Sequence, residues 1–579
     1  MVEAWPYSYP LSRNTDHSHW ELAMAWTRRK SLLALTAGLA GLGTEAFSRR
    51  TPTTLIYPDT DYAQQVGGRP GGVLRTNASY EPGSFDIHKL LAGNLVWQGR
   101  LIYDGLVYLD PHGRPTPWLA RSWTVSPDGR TYVFRLRPAV TFSDGVRFDA
   151  RAVLVNFERI KALGLQSHIS SVYLAPYVEG RVLDPFTFEA RLDAPYPAFL
   201  AFLAQTWMGF LSPRQIAEAP DSIATRPIGT GPFVVTDYQP GKCAVFRRRE
   251  DYNWAPDQLR HAGPAYLEGV VLDAVADEAA RAEQVLSGVH GLTFEAPAAS
   301  AARFRADPTM VFSNRVRPGA PMRSLSFNTH RFPFDDVRIR RAAALAMDRR
   351  SITAALGCGE FLPKADYLGT NTTGYDSAYS GVLAYDPAAA SALLDAAGWR
   401  ERGADGIRVK AGQRLSAELA TTGGERTPPT SVLSMQSDLR NAGLDLRLKP
   451  VTNAGLLDVL RTGDYDALTG GWWSATTADV LFVLYHSSQL ARQYALGQNT
   501  ANLSDPRLDD VLLRARHTLD PQARQGLYRQ AQALLVDLVP VVSLHESHHL
   551  SAWRRDVRGV VFDTTHNTPI LTTAWLAQA

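Results

Sequence analysis

Apolar and polar positions alternate most regularly in residues 118–150, where Tyr132, Phe134 and Leu136 interleave with Val133, Arg135 and Arg137. A period of two places one apolar face on a sheet. The Ser126-Pro127-Asp128-Gly129 and Asp144-Gly145 steps supply the backbone angles of tight reversals. The stretch therefore predicts two antiparallel hairpins in succession, residues 121–125 against 131–136 and then a second turn before Val146-Arg147-Phe148. Wider spacing at Val153, Val155, Phe157 and Ile160 predicts a helix over 150–163. Strand patterning resumes over 180–192 about Asp184-Pro185, and 197–204 reads as a helix with an inward apolar face.

On either side of this block the pattern changes period repeatedly. Residues 73–76 read as a first strand and 90–108 as helical spacing. Residues 233–238 and 242–247 form a strand pair, and 270–275, 277–287 and 288–293 form a strand-helix-strand unit of an α/β lobe. A second lobe opens with a strand at 324–328, then a helix over 337–346 capped by Asp335-Asp336. Asp386-Pro387 starts a helix that Gly398 closes, and 415–421, 428–442 and 445–449 read as strand, helix and strand. Gly229-Thr230-Gly231-Pro232 reads as a crossover between lobes. It is no phosphate cradle, because no Lys-Ser/Thr follows and Pro232 lacks the N–H that such a loop would use. Residues 541–550 read as one strand, which puts His545 and His549 on one face and His548 on the other, so the three are not a ready metal-ligand set.

At 579 residues the chain is too long for one small core, and two or three domains are expected. With 60 Lys+Arg against 57 Asp+Glu there is no electrostatic case for nucleic acid or an anionic membrane. Two cysteines, Cys243 and Cys358, exclude a disulfide framework and allow at most one bridge. Near the N-terminus, Thr27-Arg28-Arg29-Lys30 precedes an apolar segment, residues 32–42, and small residues about Ala40 to Ala46. This is the pattern of an export signal, through the twin-arginine or the general route, and is too short for a permanent span. Residues 1–46 are therefore assigned to targeting, with Met24 as the expected true start. No cysteine follows the apolar segment, so a lipoprotein anchor is not expected.

Residues 118–150 also resemble, nearly residue for residue, the signature of extracytoplasmic solute-binding proteins of the peptide/nickel class of ABC importers, bacterial solute-binding protein family 5. The match is carried by Leu119, Ala120, Ser122, Trp123, Ser126, Asp128, Gly129, Thr131, Tyr132, Phe134, Leu136, Arg137, Val140, Phe142, Ser143, Asp144, Gly145, Phe148 and Ala150. Blocks at 227–241, 324–352 and 385–399 agree in the same order. The resemblance implies an α/β, two-lobed periplasmic-binding-protein-like fold (type II, cluster C) with an extra inserted domain. One lobe would use residues 52–102, 226–319 and 551–579, the inserted domain 103–225, and the second lobe 320–550. It implies capture of a small solute between the lobes and delivery to a membrane permease with its ATPase. A short peptide leads, a nickel or other metal chelate is second, and neither cofactor nor nucleic acid is involved. A monomer outside the cytoplasm is expected.

The same resemblance nominates ligand-binding residues. Tyr80 and Trp97 border the cleft, although Trp97 reads equally well as helix packing. Trp207 falls where relatives place cleft-lining groups, and Thr206, Trp207, Met208 and Gly209 stand where some nickel binders carry an arginine. Trp472 and Trp473 follow a strand that ends over the ligand, offering flat apolar faces with one N–H each. Dipeptide binders hold the ligand amine with an aspartate in the next loop. Here only Asp479 could serve, or else the ligand has no free amine. Arg426 is a candidate for a ligand carboxylate or an ordinary surface residue, and His486 is placed to meet a chelate. A secreted hydrolase is the reading from a different class. No Gly-X-Ser-X-Gly elbow, His-Glu-X-X-His or Ser-X-X-Lys stands in a suitable context; His545-Glu546-Ser547-His548-His549 lies on a strand-like run and reads as a coincidence of composition.

Overall fold

The hairpin that opens the sequence pattern shows how alternation becomes sheet. In the computed structural model, which describes residues 67–80, 83–89, 96–167, 169–422, 430–471, 473–491 and 497–577, strands Ala120–Val125 and Thr131–Leu136 pair antiparallel. Tyr132, Phe134 and Leu136 are buried, while Arg135 faces solvent. Gly129 closes the turn at φ +69°, with its N–H on the Ser126 carbonyl at 2.8 Å. Strands Thr187–Leu192 and Tyr177–Asp184 complete a four-stranded sheet. Helix Ala150–Leu163 starts at Asp149, whose carboxylate accepts from Ala152 N–H, and lays Phe157 edge-on to Phe188 at 5.6 Å. The second reversal is smaller than a full hairpin. Thr141 and Arg147 form one bridge there.

Two larger sheets carry the rest of the described chain. A seven-stranded sheet runs in the order Met310–Val316, His548–Arg554, Leu292–Thr293, Val73–Ala78, Gly269–Ala274, Cys243–Arg248, Phe233–Gln239. Its centre is parallel: Val73–Ala78 pairs in the same direction with both Gly269–Ala274 and Leu292–Thr293. A five-stranded sheet runs Asp445–Val451, Ser416–Thr422, Ala467–Leu468, Met322–Phe327, Val541–His545. The fold is thus α/β and two-lobed. The chain leaves the first sheet after Val316 to enter the second at Met322, and returns between His545 and His548.

Four expectations change. Part of the helical spacing at 90–108 is strand: helix Val96–Ile102 gives way to strand Val107–Leu109. Gly229–Gly231 does not join the two large sheets; it leads from the residues assigned to the inserted domain into strand Phe233–Gln239. It lies so close to the helix end that a Cβ at Gly229 would sit 2.1 Å from the Ile102 carbonyl oxygen. Residues 541–550 are two strands in different sheets, broken at Glu546-Ser547, and the return to the first sheet begins at His548 rather than Ser551. The break resets the alternation, so His545 and His548 both stack on Phe361, at 4.7 and 5.3 Å, while His549 meets Arg317. Cys243 and Cys358 are both free. Residues 1–46 lie outside the described residues.

Candidate functional site

Strand direction locates the site before any side chain is considered. In the seven-stranded sheet Val73–Ala78, Leu292–Thr293 and Met310–Val316 all end at one edge, and antiparallel His548–Arg554 begins there. In the five-stranded sheet Ser416–Thr422, Asp445–Val451, Ala467–Leu468 and Val541–His545 end, and Met322–Phe327 begins, at one edge. Both crossovers join these two edges. The residues just beyond the strands therefore meet across the hinge, the place where open α/β sheets bind ligands.

From the first sheet come Ser79 and Tyr80, Phe294 and Glu295, Arg317, and His549. Ser79 donates to Glu295 through its N–H, at 2.8 Å, and through its hydroxyl. Tyr80 stays 42% exposed, with burial and the nearby Glu295 charge pushing its phenol above the ordinary tyrosine range. Arg317 donates to Nδ1 of buried His549 at 2.9 Å, which leaves the His549 proton on Nε2. That Nε2 has no hydrogen-bond partner among the described residues. Burial, then Arg317, holds His549 well below the histidine range, so the ring is neutral. Trp97 is 3% exposed and lies flat on Phe294, ring centroids 3.5 Å apart, so it braces a strand end.

An aromatic group from residues 173–207 meets Trp473 and Ser474. Trp207, 3% exposed, meets His566 edge-on at 4.9 Å and Tyr173 at 6.0 Å. Tyr173 donates to the Ser474 carbonyl at 2.8 Å and lies 6.4 Å from the half-buried Trp473 ring. Ser474 in turn donates to the Thr565 carbonyl at 3.1 Å. Burial brings His566 down to about 3, so it too is neutral. The Trp473 Nε1, Gln205 Nε2 and Thr206 Oγ1 atoms are buried without a hydrogen-bond partner among the described residues. Such atoms call for water or a polar guest.

The other nominated residues fall elsewhere. Asp479 is fully buried and, contrary to the expectation that it meets a ligand amine, accepts from Tyr196 at 2.7 Å and Arg516 at 3.1 Å. His486 stacks on Phe482 at 4.3 Å with Nδ1 held by Ser488 at 2.8 Å, beside that ion pair. Arg426 and Trp472 lie outside the described residues. Sequence reasoning missed Tyr173, Glu295, Arg317, His549 as a site residue, and His566. Only the topology, strand ends meeting at a crossover, could have indicated Glu295 and Arg317. Among the described residues no group of three or more His, Cys, Asp or Glu side chains could hold a metal ion.

Two α/β lobes joined by two crossovers, with aromatic and polar groups from both sides at the seam, define a protein that holds a small molecule between its halves. The chain belongs to the bacterial extracellular solute-binding proteins, family 5, whose model matches residues 114–493. It is 28% identical to the nickel-binding periplasmic protein of Escherichia coli over 77% of this chain and 84% of that one. It is 27% identical to the glutathione-binding protein GsiB of Salmonella paratyphi A, over 79% of this chain and 85% of that one. Among solved structures, NikA of Brucella suis in complex with Fe(III)-EDTA superposes with a TM-score of 0.74 at 26% identity, covering 87% of this chain and 100% of that one. The oligopeptide-binding protein AppA of Bacillus subtilis shares the fold, with a TM-score of 0.75 at 19% identity over 88% and 100%. The chain is therefore an extracytoplasmic solute-binding protein of an ABC importer and not an enzyme.

Proposed function

We propose that the solute is a short peptide, delivered by this chain to an ABC permease driven by a separate ATPase. The observation that carries the reading is the pairing of aromatic faces from both sides of the seam, Trp207 and Tyr173 against Trp473, with opposite charges on Glu295 and Arg317 nearby. Aromatic faces accept varied side chains. Arg317 and the His549 Nε2–H suit a carboxylate, and Glu295 takes the ammonium that Asp479, committed to Arg516, does not receive. Tyr80 completes the proposed wall. Export by the twin-arginine-like segment and a monomeric state belong to the same proposal.

Calorimetry with tripeptides, their N-acetyl forms and nickel-histidine separates the alternatives. Wild type binds free tripeptides most tightly, and Glu295→Gln loses about tenfold for free but not for acetylated peptides. Equal affinity of wild type for both forms contradicts the ammonium assignment. The second reading, a metal chelate, is favoured by the neutral imidazole of His566 near Arg317. Such a chelate must bring most of its own ligands, and binding of nickel-histidine with no peptide binding would establish it.

A further inference from the structure

Asp479 opens helix Val480–Tyr485, where an aspartate ordinarily caps free N–H groups, yet its side chain makes no capping bond. Its carboxylate is turned instead to another part of the fold. Oδ2 accepts from the Tyr196 hydroxyl at 2.7 Å and from Arg516 at 3.1 Å, and Oδ1 lies 3.5 Å from the Tyr528 hydroxyl. Asp479 is 0% and Arg516 8% exposed. The Arg516 guanidinium is also held between two rings, 4.4 Å from the Tyr196 centroid and 4.1 Å from that of Phe482. Asp479, Phe482, Arg516 and Tyr528 belong to residues 320–550; Tyr196 belongs to residues 103–225 and is tied to them by the Tyr132 hydroxyl on its carbonyl at 3.0 Å.

Tyr196 is thus the one hydroxyl of this cluster that comes from the opposite side of the seam, among the described residues. Beside it a cavity of about 260 Å³ lies between the two sides, lined by Asp193, Tyr196, Phe482, Arg516 and His517 among others. Tyr196, Phe482 and Tyr528 share one buried apolar core across the seam, and the cavity leaves one side of it open, so the directed contacts to Asp479 add to that packing. A ladder of rings connects it to the solute site: Tyr196 stacks on Phe202 at 5.8 Å, Phe202 on Tyr173 at 4.6 Å, and Tyr173 meets Trp473.

We propose that Tyr196, Asp479 and Arg516 form an interlobe latch, positioning residues that hold the inserted domain against the second lobe and set affinity without touching the solute. The latch rests on the reading of solute capture by closure. Opening the seam takes Tyr196 away from an Asp479–Arg516 pair that remains within the second lobe. A contact made only when shut strengthens every solute by the same factor, whereas a contact to the solute discriminates between solutes.

The test compares wild type, Tyr196→Phe and Tyr177→Phe in binding a panel of tripeptides, with dissociation rates and thermal melts recorded for each. Tyr196→Phe keeps the ring against Arg516 and removes only the hydroxyl. It is expected to weaken every tripeptide that binds by about tenfold, through faster dissociation, with their rank order kept. Tyr177→Phe loses a hydrogen bond to Glu158 at 2.9 Å within residues 103–225, one that touches no latch residue, and is expected to lower the melting temperature while leaving affinity unchanged. Unaltered affinity in Tyr196→Phe overturns the latch, and an altered rank order overturns it by making Tyr196 a solute contact. If wild type binds no tripeptide, the capture reading fails first and the latch with it.

Discussion

Trp207 and Trp473 stand on opposite sides of the seam in different surroundings, and that difference separates what each contributes. Trp207 is buried among Tyr173 and His566, so Trp207→Ala should cost about 3–5 kcal/mol of stability in a urea melt. Trp473 is half-buried, and Trp473→Ala should leave the melt nearly unchanged while weakening peptide binding by about 2 kcal/mol in calorimetry. A large loss of stability in Trp473→Ala would show it to be core. The titrating residues give a second prediction. Burial sets His88 at about 4 and His548 and His566 at about 3, so each is neutral when folded but takes up a proton on unfolding below about pH 6.5. Their contribution is complete above pH 6.5 and is lost as the pH falls toward 3. Asp104 and Asp366, raised to about 6 by burial, act in the opposite sense between about pH 6 and 4. The histidines outnumber them, so the unfolding free energy should fall on acidification, by about 1.4 kcal/mol per pH unit for each net proton. Urea melts at pH 7.5 and 4.5 check this, and greater stability at the lower pH contradicts it. At this scale the sequence was a partial guide. Trp207 and Trp473 were legible through the family resemblance, which places cleft-lining groups at those positions. The partners Tyr173, His566 and Arg317 come from segments far apart in the chain, and no local pattern marks them.

Elements were easier to read where their signal is local. The helix Ala150–Leu163, the Asp336 and Asp386 caps and the Gly129 turn lie where period, capping residue and positive φ require them. The reading failed where tertiary contact overrides pattern. Residues 541–550 alternate like one strand, yet the chain changes sheets at Glu546-Ser547, a step set by the hinge and invisible to periodicity. Gly229-Thr230-Gly231 was legible as a special passage but not as to what it passes. The close approach to Ile102 supplies the reason, since a Cβ at Gly231 would lie 2.4 Å from the Ile102 carbonyl carbon. Gly229→Ala or Gly231→Ala should therefore lose at least about 2 kcal/mol in urea unfolding. A neutral substitution at both would mean that this passage can move away from the helix.

The whole molecule works as a pair of sheets whose strand ends oppose one another across Arg317 to Pro321 and Glu546-Ser547. Gly319 shows how closely the halves approach: its N–H is held by Thr372 at 2.7 Å, and a Cβ there would sit 2.0 Å from the Trp473 carbonyl oxygen. Affinity in such a device comes from contacts made to both sides at once, and none of the bonds in the cargo need change. Native mass spectrometry of the protein mixed with a tripeptide library tests this most directly. The account predicts a one-to-one complex with selected peptides, which leave the protein on denaturation at their original masses. Peptides recovered as fragments, or no complex with any member of the library, would contradict it.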